Sequence, residues 1–179
     1  MVDSMPALGV SGSPAAASRS RTLLERALIA LERHGAGVQR VHLADLPADA
    51  LLGRREDPAV QRALAAVQET RILVVSTPIY RATYSGLLKV FFDLLPQDAL
   101  AGKVAVAIAT GASPAHCLAL DHGLHPLFAS VGAVVVPTSV YGIDAQFRDG
   151  VPDGVLLERV ERAVAEALVL AGALKPVEA

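Results

Sequence analysis

Hydrophobic positions along the chain follow two alternating spacings, which predict a succession of strands and helices. Within residues 72–76, Ile72 to Val75 form a continuous apolar run, as in a strand that is covered on both faces. Leu24, Leu28 and Leu31 instead recur at spacings of four and three, as on one face of a helix. These patterns predict five strands over residues 7–11, 38–43, 72–76, 103–109 and 133–136, with residues 46–57 as an irregular connection. They also predict helices over residues 19–34, 58–70, 85–94, 115–130 and 152–173, the fourth of them distorted around Gly123 and Pro126.

Strands that alternate with helices imply an α/β domain with a parallel sheet and helices on both faces. The 179 residues fit a single domain, residues 1–179, in which residues 1–5 are expected to be a disordered start. Two sheet orders compete at this size, and periodicity does not choose between them. In the order 2-1-3-4-5, the ligand crevice lies beyond the carboxyl ends of strands one and three.

Three stretches that directly follow predicted strands are the richest in Ser, Thr, Gly and Pro. They cover residues 12–20, 77–86 and 110–116. Because the carboxyl ends of parallel strands meet at one edge of a sheet, the order 2-1-3-4-5 would bring these loops together. The sequence therefore predicts a ligand site where the three loops converge.

Composition excludes several classes of protein. Hydrophobic residues make up 53% of the chain and charged residues 19%, which favours a folded domain. The net charge of −2, without a basic stretch, argues against nucleic-acid binding. Cys117 is the only cysteine, so neither an intramolecular disulfide nor a cysteine-rich zinc site is expected. No secretory signal and no apolar run of about 20 residues is found, which predicts a cytoplasmic protein without membrane contact.

The first loop joins a strand that ends at Ser11 to the start of a helix. Unpaired N–H groups and the helix dipole favour an anion there. Ser13, Ser18 and Ser20 can add hydroxyl groups, and Arg19 adds a cation. The loop matches neither the P-loop nor the G-x-G-x-x-G pattern, which argues against a nucleoside-triphosphatase and a Rossmann dinucleotide site. A phosphate site and an ordinary capped turn both remain open.

The second and third loops offer aromatic rings and close backbone approach. The second loop contains Thr77-Pro78-Ile79-Tyr80 and continues through Tyr84 to Ser85-Gly86. Two tyrosines suit a conjugated ring with polar edges, although they could equally pack the loop or an interface. The third loop begins with Thr110-Gly111 and ends at His116, which could donate a hydrogen bond to a ligand edge or serve a structural role.

The region around His116 looks like a metal site in the linear sequence but not on a helix. His116 and His122 would be about 600° apart around a helix and would point to different faces, so metal binding is not expected. Asp121 and His125 have the i, i+4 spacing of a helix-stabilising pair. The G-x-S-x-G pattern of hydrolases is absent.

Taken together, the three loop motifs resemble those of the NAD(P)H-dependent FMN reductases, in particular the type that serves alkanesulfonate assimilation. The motifs are Gly12-Ser13-Pro14 with Ser18-Arg19-Ser20, Thr77-Pro78-Ile79-Tyr80 with Tyr84-Ser85-Gly86-Leu87-Leu88-Lys89, and Thr110-Gly111 with His116. The resemblance covers most of residues 6–141. Three motifs in the same order at three strand ends make it specific.

The resemblance implies a flavodoxin-like three-layer sandwich with a five-stranded parallel sheet in the order 2-1-3-4-5. It also implies FMN, reduced by NADPH or NADH, a possible flavin-dependent monooxygenase as partner, and a homodimer or homotetramer. No catalytic side chain is required, because the hydride passes from cofactor to cofactor. The residues expected around FMN are Ser11, Ser13, Ser18, Arg19 and Ser20 near the phosphate, and Thr77, Pro78, Ile79, Tyr80, Ser85, Thr110, Gly111 and His116 near the ring.

Three details qualify what the resemblance implies. His122 matches the position at which the sulfonate-type members carry an inserted residue that forms a π-bulge, which is tied to whether flavin leaves or stays bound. Ala15 stands where the family commonly has a basic residue, so one phosphate-facing cation is missing. Residues after Tyr141 match poorly, so the preference for NADPH or NADH does not carry over.

Two other flavin-dependent functions and one without flavin fit the sequence less well. The chain could retain FMN and reduce a quinone, an azo dye or a metal oxyanion. It could be an electron-carrying flavodoxin, although flavodoxins are usually strongly acidic and this chain carries a net charge of −2. It could also be an α/β interaction module that binds no flavin.

Overall fold

A central sheet with helices on both faces forms the body of the molecule, as the computed structural model of the chain shows for residues 5–174. Residues 1–4, which belong to the expected disordered start, and residues 175–179 lie outside the described residues. The strands are β1 (Pro6–Ser11), β2 (Gly37–His42), β3 (Ile72–Tyr80), β4 (Thr83–Tyr84), β5 (Val104–Gly111), β6 (Val134–Val135), β7 (Val140–Ile143), β8 (Phe147–Arg148) and β9 (Val151–Pro152). The helices are α1 (Arg19–Arg33), α2 (Ala48–Leu51), α3 (Pro58–Glu69), α4 (Gly86–Phe92), α5 (His125–Ala129) and α6 (Gly154–Ala173).

The parallel strands lie in the order β2-β1-β3-β5, followed by β6 and β7, which both pair with β5. This confirms the flavodoxin-like order 2-1-3-4-5 that the resemblance implies, with β5 as the fourth strand position and β6 and β7 sharing the fifth. The carboxyl ends of β1 and β3 are neighbours, and β5 follows on the other side of β3.

Side chains on the two faces of the sheet fill two separate cores. On β3, Leu73 and Val75 pack towards α3 and α4, whereas Ile72 and Val74 pack towards α1 and α6. All four are fully buried. The continuous apolar run that predicts β3 is therefore explained by helices that cover both faces.

The predicted fifth strand, residues 133–136, corresponds to β6 alone, and the structure adds a second strand, β7, at the same edge of the sheet. Val134 and Val135 pair with the start of β5, the chain leaves the sheet around Pro137, and β7 returns to pair with the end of β5. Proline lacks the N–H group that a sheet ladder needs, which accounts for the break. Thr138 is held outside the sheet by Glu166, whose carboxylate accepts from its backbone N–H at 2.8 Å and its hydroxyl at 2.7 Å.

The segment predicted as a helix over residues 115–130, with a distortion around Gly123 and Pro126, is helical but irregular. The segment forms a 3₁₀ turn at Pro114–Cys117, a π-helical turn at Leu120–Leu124 and the short helix α5. Within the π-helical turn, the His125 amide donates to the Leu120 carbonyl five residues earlier. Pro126 has no N–H group and its ring crowds the preceding turn, so a regular helix cannot run through this point. His122 lies in the π-helical turn, where the resemblance places a π-bulge.

Two short antiparallel hairpins, β3–β4 and β8–β9, were not predicted. The irregular connection at residues 46–57 contains the single turn of helix α2. Among the described residues, no helix combines the length and the apolar character that crossing a membrane requires.

Candidate functional site

A cleft of about 650 Å³ opens beyond the carboxyl ends of β1, β3 and β5. Pockets for small molecules and cofactors occupy about 300–1,000 Å³, so the cleft has the size of a cofactor site. Seven of the thirteen residues predicted around the ligand line it, namely Ser18, Arg19, Pro78, Ile79, Tyr80, Thr110 and Gly111. The remaining lining residues are Ala15, Ala17, Thr22, Ala112, Asp144 and Gly150.

The first loop presents backbone N–H groups at the start of α1. Ser18 caps this helix, because its Oγ accepts from the Arg21 amide at 3.2 Å. The amides of residues 16–20 donate to no acceptor within residues 5–174. Because unpaired amides and the dipole of a 15-residue helix both favour negative charge, this end of the cleft suits a phosphate group.

Three of the predicted phosphate residues support the first loop rather than line the cleft. Ser13 is buried, and its Oγ accepts from the Ala15 amide at 3.2 Å and donates to the Ala15 carbonyl at 3.3 Å. Ser11 Oγ accepts from the Ser13 amide at 3.5 Å. Ser20 is fully buried, with its Oγ 3.2 Å from Ser18 Oγ. Direct contact of these three with FMN stays a prediction.

Thr77 and Ser85 tie the second loop to the first. Thr77 Oγ1 accepts from the Ser85 amide at 3.0 Å and donates to the Pro78 carbonyl at 3.0 Å. Ser85 Oγ caps α4 by accepting from the Leu88 amide at 3.1 Å, and it donates to the Gly12 carbonyl at 2.5 Å. Both side chains are buried and neither lines the cleft, so direct contact of Thr77 and Ser85 with FMN stays a prediction.

The β3–β4 hairpin carries Tyr80 to the edge of the cleft. Strand β3 continues four residues beyond its predicted end, and Tyr80 pairs with Thr83 across a two-residue turn. The turn residues Arg81 and Ala82 both have positive φ, 50° and 66°. Tyr80 is 51% exposed and is therefore available to cover a flat ligand.

The π-helical turn packs directly against this hairpin. A Cβ atom on Gly123 would lie 3.0 Å from Thr83 Oγ1 and 3.2 Å from Tyr84 Cδ1, so only glycine allows this approach without movement of the neighbours. His122 is exposed and does not line the cleft. A role of His122 in flavin release stays a prediction.

In the third loop, Gly111 lies against the phenol of Tyr141. A Cβ atom on Gly111 would collide with Tyr141 Oη, which donates to the Ser113 carbonyl at 2.7 Å. Burial, followed by the charges of Cys117 and Asp144, raises the pKa of Tyr141, so the phenol stays neutral and keeps this hydrogen bond. His116 is exposed on the following 3₁₀ turn and is not among the lining residues.

Residues from beyond Tyr141 close the far side of the cleft. Asp144 and Gly150 line it, and the Asp144 carboxylate forms an ion pair with the Arg19 guanidinium. The Arg19 guanidinium carbon also lies 6.0 Å from the centre of the Phe147 ring. Sequence reasoning missed both lining residues. The Asp149-Gly150 pair, a typical signal for a two-residue hairpin, could have indicated β8–β9.

A histidine lies on the outer side of the first loop. His42 pairs with Ser11 at the end of β2, and the nearby Arg21 donates from Nη1 to the Ala16 carbonyl at 3.1 Å. Burial and the Arg21 cation lower the pKa of His42. The folded chain therefore favours the neutral imidazole of His42 over the protonated one.

Asp121, His125 and Ser139 make contacts that resemble a hydrolase triad but lie outside the cleft. His125 Nε2 is 2.7 Å from Ser139 Oγ, and His125 Nδ1 is 3.6 Å from Asp121 Oδ1. Arg159 Nε donates to the Ser139 carbonyl at 2.6 Å. These contacts hold the break between β6 and β7. Within residues 5–174, no three His, Cys, Asp or Glu side chains come close enough to hold a metal ion.

Comparison with known proteins assigns this arrangement to a family. Residues 5–148 match the family described as NADPH-dependent FMN reductase. The chain belongs to this family. This confirms the predicted family and enzyme class, an NAD(P)H-dependent FMN reductase that uses FMN together with NADPH or NADH.

Relatives of the chain carry names that include both nicotinamide coenzymes. The chain is 38% identical over 167 residues to an FMN reductase (NADPH) of Pseudomonas putida, covering 92% of this chain and 85% of the relative. It is 38% identical over 165 residues to the NADH-dependent FMN reductase SfnF of Pseudomonas fluorescens, covering 88% of each. Among solved structures, an apo NADH:FMN oxidoreductase, EmoB, superimposes with a TM-score of 0.86 at 37% identity, covering 97% of this chain and 92% of that one.

Proposed function

We propose that this FMN reductase binds FMN in the cleft as an exchangeable substrate and releases reduced FMN to a partner flavin-dependent monooxygenase of sulfonate or sulfur assimilation. Family membership supports the reaction, and the convergence of three loops on one open cleft is the observation that carries the binding site. The relatives named SfnF and SfnE support the choice of partner. A homodimer or homotetramer and a cytoplasmic location stay part of this proposal.

At one end of the cleft, the residues fit a phosphate monoester. The free amides of residues 16–20, the Ser18 hydroxyl and the Arg19 guanidinium would hold this group. Anions at helix N-termini gain from both hydrogen bonds and the helix dipole. Because Ala15 supplies no cation, Arg19 is the one positively charged side chain among the lining residues.

At the other end, the residues fit a flat ring with polar edges. Pro78, Ile79 and Tyr80 offer an apolar wall, and Thr110 and Gly111 offer backbone groups that a ligand can approach closely. Bound FMN supplies a ring that accepts a hydride from the nicotinamide coenzyme. The protein orients the ring and limits its contact with water, and no side chain of the cleft has to act as an acid or a base.

Steady-state oxidation of NADPH and of NADH, with and without added FMN, tests this proposal. We expect the purified protein to be colourless and its activity to depend on added FMN with saturation. A protein that stays yellow after gel filtration and reduces a quinone without added FMN would contradict the substrate role. The same assay separates the function from that of an electron-carrying flavodoxin, which would bind FMN but oxidise neither coenzyme efficiently.

A further inference from the structure

The cleft contains one ion pair, and it joins the two parts of the chain that form its opposite sides. Arg19 belongs to the first turn of α1, and Asp144 begins the 3₁₀ turn that follows β7. They are the only positively and negatively charged side chains among the residues that line the cleft. Their side chains are 43% and 53% exposed, so both remain accessible to a ligand in the cleft.

We propose that Asp144 determines how weakly the phosphate of FMN is held, because its carboxylate competes with the phosphate for Arg19. This inference rests on the proposed function. A phosphate monoester carries about −1.5 to −2 charges at neutral pH and interacts best with a guanidinium that is free of other anions. In this cleft, the phosphate has to displace Asp144 from Arg19 or share the cation with it.

Hydrogen bonds on either side of Asp144 hold the backbone turn that carries its carboxylate. The 3₁₀ turn of Asp144 is closed by Gln146, whose Oε1 accepts from the Ile143 amide at 3.2 Å. The Gln146 carbonyl accepts from the Asp153 amide at 2.8 Å, and Asp153 caps α6. Arg19 is a long side chain on the helix surface, so it can turn towards a phosphate while Asp144 stays at the edge of the cleft.

Asp144→Asn keeps the shape of the side chain and removes its charge. Exposed ion pairs contribute little to stability or binding, so a moderate effect is expected. We expect Asp144→Asn to tighten FMN binding about three- to tenfold, since it frees Arg19 for the phosphate. Riboflavin, which lacks the phosphate, should bind the variant and the wild type equally well.

The matched control is Asp149→Asn. It makes the same chemical change in the β8–β9 turn, five residues further along, at a residue that does not line the cleft. Its φ of 50° suits asparagine, so the turn should be kept. We expect unchanged FMN binding in this control. Thermal melting of both variants provides the check on folding.

The experiment is a fluorescence titration of FMN and riboflavin on wild type, Asp144→Asn, Asp149→Asn, Arg19→Gln and the double variant Arg19→Gln/Asp144→Asn. If Asp144 competes with the phosphate for Arg19, the increase in FMN affinity caused by Asp144→Asn should disappear when Arg19 is replaced by Gln. The increase should also shrink at about 1 M salt, where the Debye length falls to about 3 Å.

The possible failures are distinguishable. Wild type that binds FMN normally, together with unchanged or weaker binding in Asp144→Asn, overturns the role of Asp144 and leaves the proposed function in place. An increase in FMN affinity that persists in the Arg19→Gln background also overturns the proposed competition for Arg19. An equal increase in riboflavin affinity does the same. Wild type that binds neither flavin overturns the proposed function itself, and the role of Asp144 with it.

Discussion

Gly111 lies where the third loop packs against Tyr141 of β7. Its missing side chain leaves room for Tyr141 Oη, which fixes the loop through the Ser113 carbonyl. Gly111 also lines the cleft, so the same residue contributes to loop packing and to the shape of the site. A side chain at this position would move either the loop or the tyrosine.

Gly111→Ala should lower the free energy of unfolding by about 1–3 kcal/mol, because inserting a methyl group into a packed site forces its neighbours to shift. FMN affinity should fall with it. Tyr141→Phe removes the colliding hydroxyl, so the double variant Gly111→Ala/Tyr141→Phe should be more stable than the sum of the single effects predicts. Chemical denaturation of the four proteins measures this coupling, and simple additivity would contradict the collision.

Gly172→Ala is the control for this series. Gly172 lies in α6, and a Cβ atom there would meet no heavy atom within 4 Å. Because alanine is favoured over glycine within a helix, this variant should be as stable as wild type or more stable.

His42 should make the fold less stable at acidic pH. Its pKa is lowered from the ordinary value of 6.5, first by burial and then by the Arg21 cation. Between 6.5 and the lowered pKa, the unfolded chain binds more protons than the folded chain, so the free energy of unfolding falls as the pH falls through this range. His42→Gln should reduce the difference in melting temperature between pH 7.5 and pH 5. An equal difference in both proteins would contradict this assignment.

At the scale of elements, the β3–β4 hairpin is built on an unusual turn. Two-residue hairpin turns with positive φ at both positions favour Asn-Gly or Asp-Gly, and the β8–β9 turn follows this rule with Asp149-Gly150. Arg81 and Ala82 do not, although they adopt the same conformation. The contact of Gly123 with Thr83 and Tyr84 is one of the interactions that support the hairpin.

Ala82→Gly should raise the free energy of unfolding by about 1 kcal/mol, because the left-handed conformation costs a non-glycine residue about 1–2 kcal/mol. Ala65 provides the matched control, since it is exposed within α3 and has ordinary helical surroundings. Ala65→Gly should lower stability by about 0.5–1 kcal/mol. Urea denaturation of both variants measures the contrast, and equal losses would contradict strain at Ala82.

The sequence allowed the elements with strong periodicity to be predicted, and the structure confirms them. Strands β1, β3 and β5 and helices α1, α3 and α6 lie close to their predicted positions, because each buries a regular apolar face. The short elements could not be predicted in the same way. Strand β7 has four residues, and only its pairing with β5 distinguishes it from a loop. The segment 115–130 has the apolar spacing of a helix, but Pro126 prevents a regular one.

The candidate site, too, could be predicted only where the sequence carries a local pattern. Residues 18–19, 78–80 and 110–111 could be predicted as parts of one cleft because they lie at or beyond the carboxyl ends of adjacent parallel strands. Ser13, Ser20, Thr77 and Ser85 have the residue types of ligand contacts, and their hydroxyls form hydrogen bonds within the loops, so their contact with FMN stays a prediction. Asp144 is far from Arg19 in the sequence and has no local signal, so its place beside that residue follows only from the tertiary fold.

At the scale of the molecule, the sheet order determines where chemistry can occur. Parallel strands in the order 2-1-3-4-5 direct their carboxyl ends to one edge, and the crossover between β1 and β3 leaves a crevice there. The C-terminal segment from Asp144 to Gly150 completes the far side of that crevice. The cleft therefore depends on the whole sheet, from the first strand to the residues before α6.

The central claim is that FMN occupies this cleft, with its phosphate at the start of α1 and its ring between Tyr80 and Gly111. A crystal structure of the protein soaked in excess FMN tests it most directly. We expect phosphate density within hydrogen-bond distance of the amides of residues 16–20 and ring density against Pro78, Tyr80 and Gly111. Flavin bound elsewhere, or a cleft that stays empty at saturating FMN, would contradict the claim.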